Sequence, residues 1–234
     1  MGFAFLFYYI RCMHPYISQL KKIFEQHANP EKAAGAKAYM RNQFEYLGLT
    51  APVRQHISKT YIKSKLLAYD ELETIVKALW QMPEREYQYF AIDLIAALKK
   101  QWTKDIIKLI EFVLVNKSWW DTVDATSNLT GAYFKLFPGQ TDSITGKWNR
   151  SKNFWLQRSS ILFQLKYKKD TNTDRLGKYI LALATSKEFF VQKAIGWALR
   201  EYSKTDAVWV NRFVKHHKLA SLSEREALKR ISRK

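Results

Sequence analysis

A short motif recurs along the chain at a fixed spacing, and it limits the possible folds more than any other feature. Residues 153–159 (NFWLQRS) match residues 188–194 (EFFVQKA) position by position, at an offset of 35 residues. A further step of 35 residues towards the start reaches Ser118, which two tryptophans follow. A looser copy lies at residues 84–95. Repetition at this period is typical of helical solenoids, in which each repeat is a helix pair that buries its apolar face against its neighbours.

Chance recurrence of aromatic pairs is the alternative, but the shared glutamine and the basic residue after it favour a true repeat. Apolar residues also follow the helical period of i, i+3, i+4 and i+7 along the chain, and no alternating strand pattern or hairpin signal stands out. A first helix has its apolar face at Ile17, Leu20, Ile23 and Phe24, and the next two helices are capped by Asn29, before Pro30, and by Thr50. A fourth helix starts at Tyr69 and Asp70 and ends at Pro83. Two further helices are predicted from Tyr87 to Leu98 and from Ile106 to Val115. The sequence therefore predicts an all-α fold, a right-handed solenoid of antiparallel helix pairs of the HEAT or armadillo kind.

The start of the chain differs from the rest. Residues 3–10 (FAFLFYYI) are all apolar, but a membrane-spanning helix needs about 20 such residues. No positive charge precedes the run, so it does not resemble a signal peptide. We expect residues 1–12 to be an appendage or the product of a misassigned start codon, residues 13–234 to form a single repeat domain, and the protein to be cytoplasmic with no membrane partner.

The charge points to a polyanionic partner. Lys and Arg number 39 against 21 Asp and Glu, for a formal net charge of +18, which favours nucleic acid over a membrane surface. Cys12 is the only cysteine, which excludes an intramolecular disulfide and a zinc site built from cysteines. No histidine pair has metal-ligand spacing, and no glycine-rich phosphate loop is present, so neither a metal nor a cofactor is expected.

Residues 117–124 (KSWWDTVD) carry the first candidate site. Ser118 and Asp121 have the spacing of a capping box that would start a helix. In that helix Trp119 and Val123 would form an apolar stripe directed to the core.

Trp120 and Asp124 would then lie side by side on another face of the same helix, four residues apart. A tryptophan next to a carboxylate on an exposed surface of a strongly basic protein is unusual. The simpler alternative is that Asp124 pairs with one of the many basic residues, beside a core tryptophan.

The next two repeats place basic residues among tryptophans. Arg158 and Lys166 lie eight residues apart, on roughly the same face of one helix, and Lys193, Trp197 and Arg200 share a face of another. Cations that meet phosphates, next to flat apolar rings that meet sugars or bases, suit a nucleic-acid backbone. The alternative is an ordinary solvated face.

Several longer motifs carry a family resemblance. They are residues 29–33 (NPEKA), Tyr39 with Met40, Leu47 with Gly48, and residues 83–86 (PERE), 117–124 (KSWWDTVD), 155–158 (WLQR), 163–167 (FQLKY) and 186–202 (SKEFFVQKAIGWALREY). The chain from about His14 to Arg230 resembles the bacterial AlkD-type DNA alkylation repair glycosylases. The resemblance implies an all-α stack of HEAT-like repeats that binds duplex DNA along a concave face. It also implies a monomer associated with the bacterial nucleoid when bound, and removal of N3- and N7-alkylated purines that leaves an abasic site.

The resemblance also implies roles for individual residues. Asp124 matches the family's catalytic carboxylate, Trp120 and Trp197 match its sugar-contacting tryptophans, Arg158 matches its backbone-contacting arginine, and Tyr39 and Lys166 match further DNA-facing positions. Two alternatives remain open at this point: a HEAT-repeat protein that binds nucleic acid without catalysis, and a solenoid that binds acidic proteins.

Overall fold

The computed structural model describes residues 14–232, and within them the regular structure is helical apart from an isolated bridge between Glu45 and Glu84. The α-helices in this range are α1 (Pro15–Gln26), α2 (Pro30–Tyr39), α3 (Ala51–Ser64), α4 (Leu72–Gln81), α5 (Arg85–Ala97), α6 (Ile106–Val115), α7 (Trp120–Leu136), α8 (Thr141–Asn149), α9 (Phe154–Leu162), α10 (Thr173–Ala182), α11 (Phe189–Tyr202), α12 (Ala207–His216) and α13 (Ser221–Leu228). The predicted all-α fold is confirmed. None of these helices has the length and apolar content needed to cross a membrane, and the predicted appendage of residues 1–12 lies outside the described range.

The chain divides into two compact units between Trp102 and Thr103. The first unit holds α1–α5 and the second holds α6–α13. The prediction of one domain over residues 13–234 stays a prediction.

The first unit is built around an aromatic core. The ring of Tyr16 meets the ring of Tyr61 edge to face, with 5.0 Å between ring centres, and Phe24 stacks on Tyr87 at 5.5 Å. Next to this core, the buried carboxylate of Glu86 accepts hydrogen bonds from the backbone N–H groups of residues 47–49. This bonding satisfies a buried charge and fixes the loop before α3.

The second unit has two helical layers. Helices α7, α9, α11 and α13 pack side by side in sequence order. Helix α6 packs mainly on α7, and α8 packs mainly on α9, whereas α10 packs on α9 and α8, and α12 packs on both α11 and α13. At its C-terminal end, an apolar core of fully buried side chains joins α9–α13, among them Leu162, Ile180, Leu199 and Val210. This packing brings the repeated motifs of α7, α9 and α11 next to one another.

The glutamine has the same structural role in the three copies that carry it, whereas the copy that follows Ser118 has Thr122 at this position. Its side-chain amide donates a hydrogen bond to the backbone carbonyl six residues earlier, in the loop that leads into the helix. The bonds run from Gln88 to Met82 (2.9 Å), from Gln157 to Ser151 (2.7 Å) and from Gln192 to Ser186 (2.9 Å). The looser copy at residues 84–95 is therefore a repeat in structure as well as in sequence.

Gln157→Leu should lower the free energy of unfolding by about 1–3 kcal/mol, because the carbonyl of Ser151 loses its donor while the loop stays packed. Gln43→Leu is the matched control, since Gln43 is exposed and a surface change of this kind stays within about 0.5 kcal/mol. Urea denaturation of both variants checks this, and equal losses would contradict the role given to the repeated glutamine.

The predicted helix starts are partly confirmed. Asn29 caps α2 by accepting a hydrogen bond from the N–H of Lys32 at 2.9 Å. Thr50 occupies the cap position of α3, but its side chain makes no capping hydrogen bond.

The predicted capping box of Ser118 and Asp121 is wrong. Helix α7 begins at Trp120, and Trp119 occupies its cap position. The hydroxyl of Ser118 donates instead to the carbonyl of Leu114 at 2.7 Å. Ser118 therefore bonds to the end of α6, and it is not available to cap α7.

Candidate functional site

The carboxylate of Asp124 is bound by a single arginine. Asp124 lies in the second turn of α7, and Arg158 of the neighbouring helix α9 faces it. The Nε of Arg158 donates to Oδ1 at 2.8 Å, and its Nη2 donates to Oδ2 at 2.9 Å. This is the bidentate geometry in which an arginine fixes both the position and the plane of a carboxylate.

Arg158 links three helices at this point. Its remaining terminal nitrogen, Nη1, donates to the backbone carbonyl of Phe190 near the start of α11 at 2.6 Å. Its guanidinium carbon lies 5.9 Å from the ring centre of Trp197, also on α11. The side chain is buried, with Arg158 only 4% exposed, so in this structure it serves Asp124 and the helix packing. Its contact with a DNA phosphate stays a prediction.

Burial raises the pKa of the Asp124 carboxyl above its ordinary value, and the negative charge of Asp121 adds to the rise. The charge and hydrogen bonds of Arg158 lower the pKa and oppose both effects. The arginine thus favours the ionised carboxylate in a place where burial alone would favour the neutral acid. Carboxyl groups whose pKa is perturbed by burial and by a charged partner are common at functional sites.

Two tryptophans lie near this pair of charges. Trp120 is the first residue of α7, one turn before Asp124, and Trp197 lies on α11 beside Arg158. Both are half-buried. Arg158 therefore lies against both Asp124 and Trp197, in line with the alternative in which Asp124 pairs with a basic residue. Trp120 shares the helix face of Asp124. The catalytic roles of Asp124, Trp120 and Trp197 stay predictions.

The predicted apolar stripe of α7 is present. Val123 is fully buried. Trp119 is half-buried, and its ring packs on Trp155 at 6.1 Å and on Phe190 at 5.4 Å between ring centres. These rings come from the motifs of three successive repeats, so they give the site a rigid base.

The two basic residues that flank Trp197 share an acidic partner. The Nζ of Lys193 lies 3.0 Å from Oε1 of Glu226, and the Nη1 of Arg200 donates to Oε2 at 2.7 Å. The sequence predicts that Lys193 and Arg200 contact DNA. Sequence reasoning did not identify Glu226, which lies on α13, as a residue of the site. The spacing of Lys193 and Glu226, close to one repeat, is the only signal that could have pointed to it.

Two further predicted DNA-contacting residues have exposed side chains. Lys166 is exposed beyond Leu162, the last residue of α9, so the prediction that it lies on one helix with Arg158 is wrong. Tyr39 is 72% exposed at the end of α2 in the first unit. Their roles stay predictions. Among residues 14–232 no cluster of histidine, cysteine, aspartate or glutamate could hold a metal ion.

The arrangement suits one kind of chemistry. A carboxylate kept ionised in a partly dry place, with aromatic faces nearby, can stabilise a transient positive charge on a bound molecule. The surrounding cations can hold a negatively charged backbone in place while this happens.

Comparison with known proteins shows which family the chain is similar to. The sequence profile described as DNA alkylation repair enzyme matches residues 20–231. A search of curated protein sequences gave no match. A solved structure titled as a predicted DNA alkylation repair enzyme from Enterococcus faecalis has 38% identity, with a TM-score of 0.83 over 89% of this chain and 98% of that one.

Two solved structures from Streptococcus mutans share the fold at lower identity. AlkD2 has 19% identity and a TM-score of 0.61 over 92% of this chain and 94% of its own. The protein smu.31 has 20% identity and a TM-score of 0.59 over 76% of this chain and 90% of its own. The profile match over most of the chain and the 38% identity to the Enterococcus protein together show that this chain belongs to the DNA alkylation repair enzyme family.

Proposed function

We propose that this protein is a DNA glycosylase that hydrolyses the N-glycosidic bond of N3- and N7-alkylated purines, such as 3-methyladenine and 7-methylguanine, in duplex DNA. The observation that carries the proposal is the Asp124 carboxylate, which Arg158 holds with two hydrogen bonds beside Trp197. Family membership and the net charge of +18 support DNA as the partner.

The reaction needs a negative charge at the sugar. Breaking a purine glycosidic bond passes through a sugar that resembles an oxocarbenium ion. Asp124 stabilises that positive charge and orients the water that attacks the sugar. The indole faces of Trp120 and Trp197 lie against the sugar and favour the cation further.

The reaction does not need an acid to protonate the leaving base. A purine alkylated at N3 or N7 already carries a positive charge, so the electrons of the glycosidic bond neutralise it as the base departs. One carboxylate is then sufficient. Selectivity follows from the lability of the bond more than from contacts with the base, and Lys193, Arg200 and Lys166 hold the backbone.

The rate of base release should fall at low pH, because protonated Asp124 cannot stabilise the sugar cation. Burial raises the pKa of Asp124, so the acid limb of the single-turnover rate lies above the ordinary aspartate value of 3.8. Spontaneous base loss is measured without protein at each pH and subtracted. A rate that stays constant down to the ordinary aspartate pKa would contradict this prediction.

Trp197→Ala and Trp120→Ala should each slow base release about 2- to 30-fold, the range that corresponds to a cation–π contribution of about 0.5–2 kcal/mol. Both residues are half-buried, so we expect little loss of melting temperature. Trp148→Ala is the control, because Trp148 is completely buried and its removal should cost about 3–5 kcal/mol of stability. If the site variants melt as low as Trp148→Ala but release base normally per folded molecule, the tryptophans have a core role.

A charge-selectivity assay tests the proposed function. Labelled duplexes that carry either 7-methylguanine or a neutral damaged base, hypoxanthine, are incubated with the protein and then treated with alkali to cut abasic sites. We expect cleavage at 7-methylguanine and much less at hypoxanthine. Binding of both duplexes without any abasic product would instead support the alternative of a nucleic-acid-binding protein without catalysis.

A further inference from the structure

Three residues of the second unit form a charged group beside Trp197. Lys193 and Arg200 lie four residues before and three residues after Trp197, on the same side of α11. Each contacts a different oxygen of the Glu226 carboxylate, at 3.0 and 2.7 Å. One acid is therefore shared by two bases, and the trio has a net charge of +1.

Glu226 cannot easily move away from the two bases. Helix α13 packs so closely on α11 that a Cβ atom on Gly196 would lie 2.5 Å from the Cβ of Glu226 and 2.9 Å from the carbonyl oxygen of Ser223. The hydroxyl of Ser223 also donates to the carbonyl of Gln192 at 2.9 Å. The backbone that carries Glu226 is thus fixed against α11 on both sides.

The acid lies deeper than the bases. The side chain of Glu226 is 12% exposed, compared with 36% for Lys193 and 31% for Arg200. A molecule that arrives from solvent therefore meets the two cations first. The same cations hold the pKa of Glu226 below its ordinary value, so the carboxylate is charged at neutral pH.

A DNA phosphate at this surface has to share the two cations with Glu226. Phosphate binding supplies most of the affinity for undamaged DNA, and each phosphate that is neutralised adds to the salt dependence of binding. A fixed carboxylate between two cations reduces the charge that they offer to phosphates. The affinity for any duplex, with or without a lesion, falls as a result.

We propose that Glu226 competes with DNA phosphates for Lys193 and Arg200 and so weakens the binding of any duplex, undamaged DNA included. This inference rests on the proposed function, which places α11 on DNA. Glu226 has no part in bond cleavage, because it acts only through the two bases.

The test compares Glu226→Gln with the unaltered protein in binding to an unmodified duplex at several salt concentrations. We expect the variant to bind at least about threefold more tightly at low salt. Its plot of log K against log salt should be steeper by about 0.9 for each additional phosphate that the protein neutralises. The rate constant for base release at saturating protein should stay unchanged, since Asp124, Trp120 and Trp197 are intact.

Glu201→Gln is the matched control. Glu201 lies on the same helix as the two bases and pairs with Lys204 at 2.6 Å, so its replacement removes the same charge at a different place. We expect a much smaller gain in affinity. Glu226→Ala keeps the Cβ atom next to α11 and should show the same gain in DNA affinity as Glu226→Gln. It replaces Glu226→Gln in the test if the glutamine variant folds poorly.

The two bases provide a second check. When Lys193 and Arg200 are both replaced by glutamine, the further change Glu226→Gln should add much less affinity, because the two cations that Glu226 contacts are then absent. Unchanged or weaker DNA binding by folded Glu226→Gln and Glu226→Ala would overturn the inference, as would an equal gain in Glu201→Gln.

Failure of this inference and failure of the proposed function give different results. If the unaltered protein releases base but the Glu226 variants bind DNA no more tightly, only the role of Glu226 is overturned. A gain in binding without any base release overturns the glycosylase proposal and leaves the role of Glu226 in DNA binding supported.

Discussion

Arg158→Ala is expected to lower the free energy of unfolding by about 3–5 kcal/mol, the loss typical of a broken buried ion pair. The change removes two hydrogen bonds to Asp124 and one to the carbonyl of Phe190. It also leaves a partly buried carboxylate without the cation that keeps its pKa down. Chemical denaturation at neutral pH measures the loss.

Arg175→Ala is the control for this prediction. In the same unit, Nε of Arg175 on α10 lies 2.7 Å from Oδ1 of Asp142 on α8, but the side chain of Asp142 is largely exposed. Pairs of this kind contribute about 1 kcal/mol or less. Equal stability losses for Arg158→Ala and Arg175→Ala would show that the buried pair does not organise the site.

Asp124→Asn is expected to slow base release about 10²- to 10³-fold, the usual effect of removing one electrostatic group that stabilises a transition state. The amide keeps the size of the carboxylate and one oxygen that can accept from Arg158, so the fold should persist. DNA affinity should stay the same or rise, because a negative charge has been removed from a surface that meets phosphates.

Asp121→Asn is the matched variant, since it removes a carboxylate from the same helix one turn earlier. The charge of Asp121 raises the pKa of Asp124, so its removal should leave base release at neutral pH nearly unchanged. If both variants lost base-release rate to a similar extent, the total charge of the helix, and not Asp124 itself, would set the rate.

The repeat period predicted much of the fold. It placed aromatic pairs near the starts of α7, α9 and α11, and it placed Gln157 and Gln192 in equivalent roles. Residues about one period apart should then meet across neighbouring helices, as Lys135 and Asp170 do at a separation of 35 residues. Periodicity works here because each repeat packs on the next with nearly the same geometry.

The partners of individual side chains were harder to predict. Asp124 and Arg158 are 34 residues apart, and both were recognised as site residues, but the sequence did not show that they bind each other. Ser118 lies between α6 and α7, so its spacing is compatible with a bond to either helix. The local sequence favoured a cap on α7, but the hydroxyl donates to the carbonyl of Leu114 at the end of α6. Glu226 lies on α13, outside the repeated motif, and its role depends on close helix packing at Gly196.

Single-turnover release of free 7-methylguanine from a duplex, detected by chromatography, tests the proposed glycosylase activity most directly, with an otherwise identical unmodified duplex as reference. We expect the unaltered protein to release 7-methylguanine and to leave an abasic site in equal amount, and to release no guanine from the unmodified duplex. A protein that binds the modified duplex and releases no base would contradict the proposed activity.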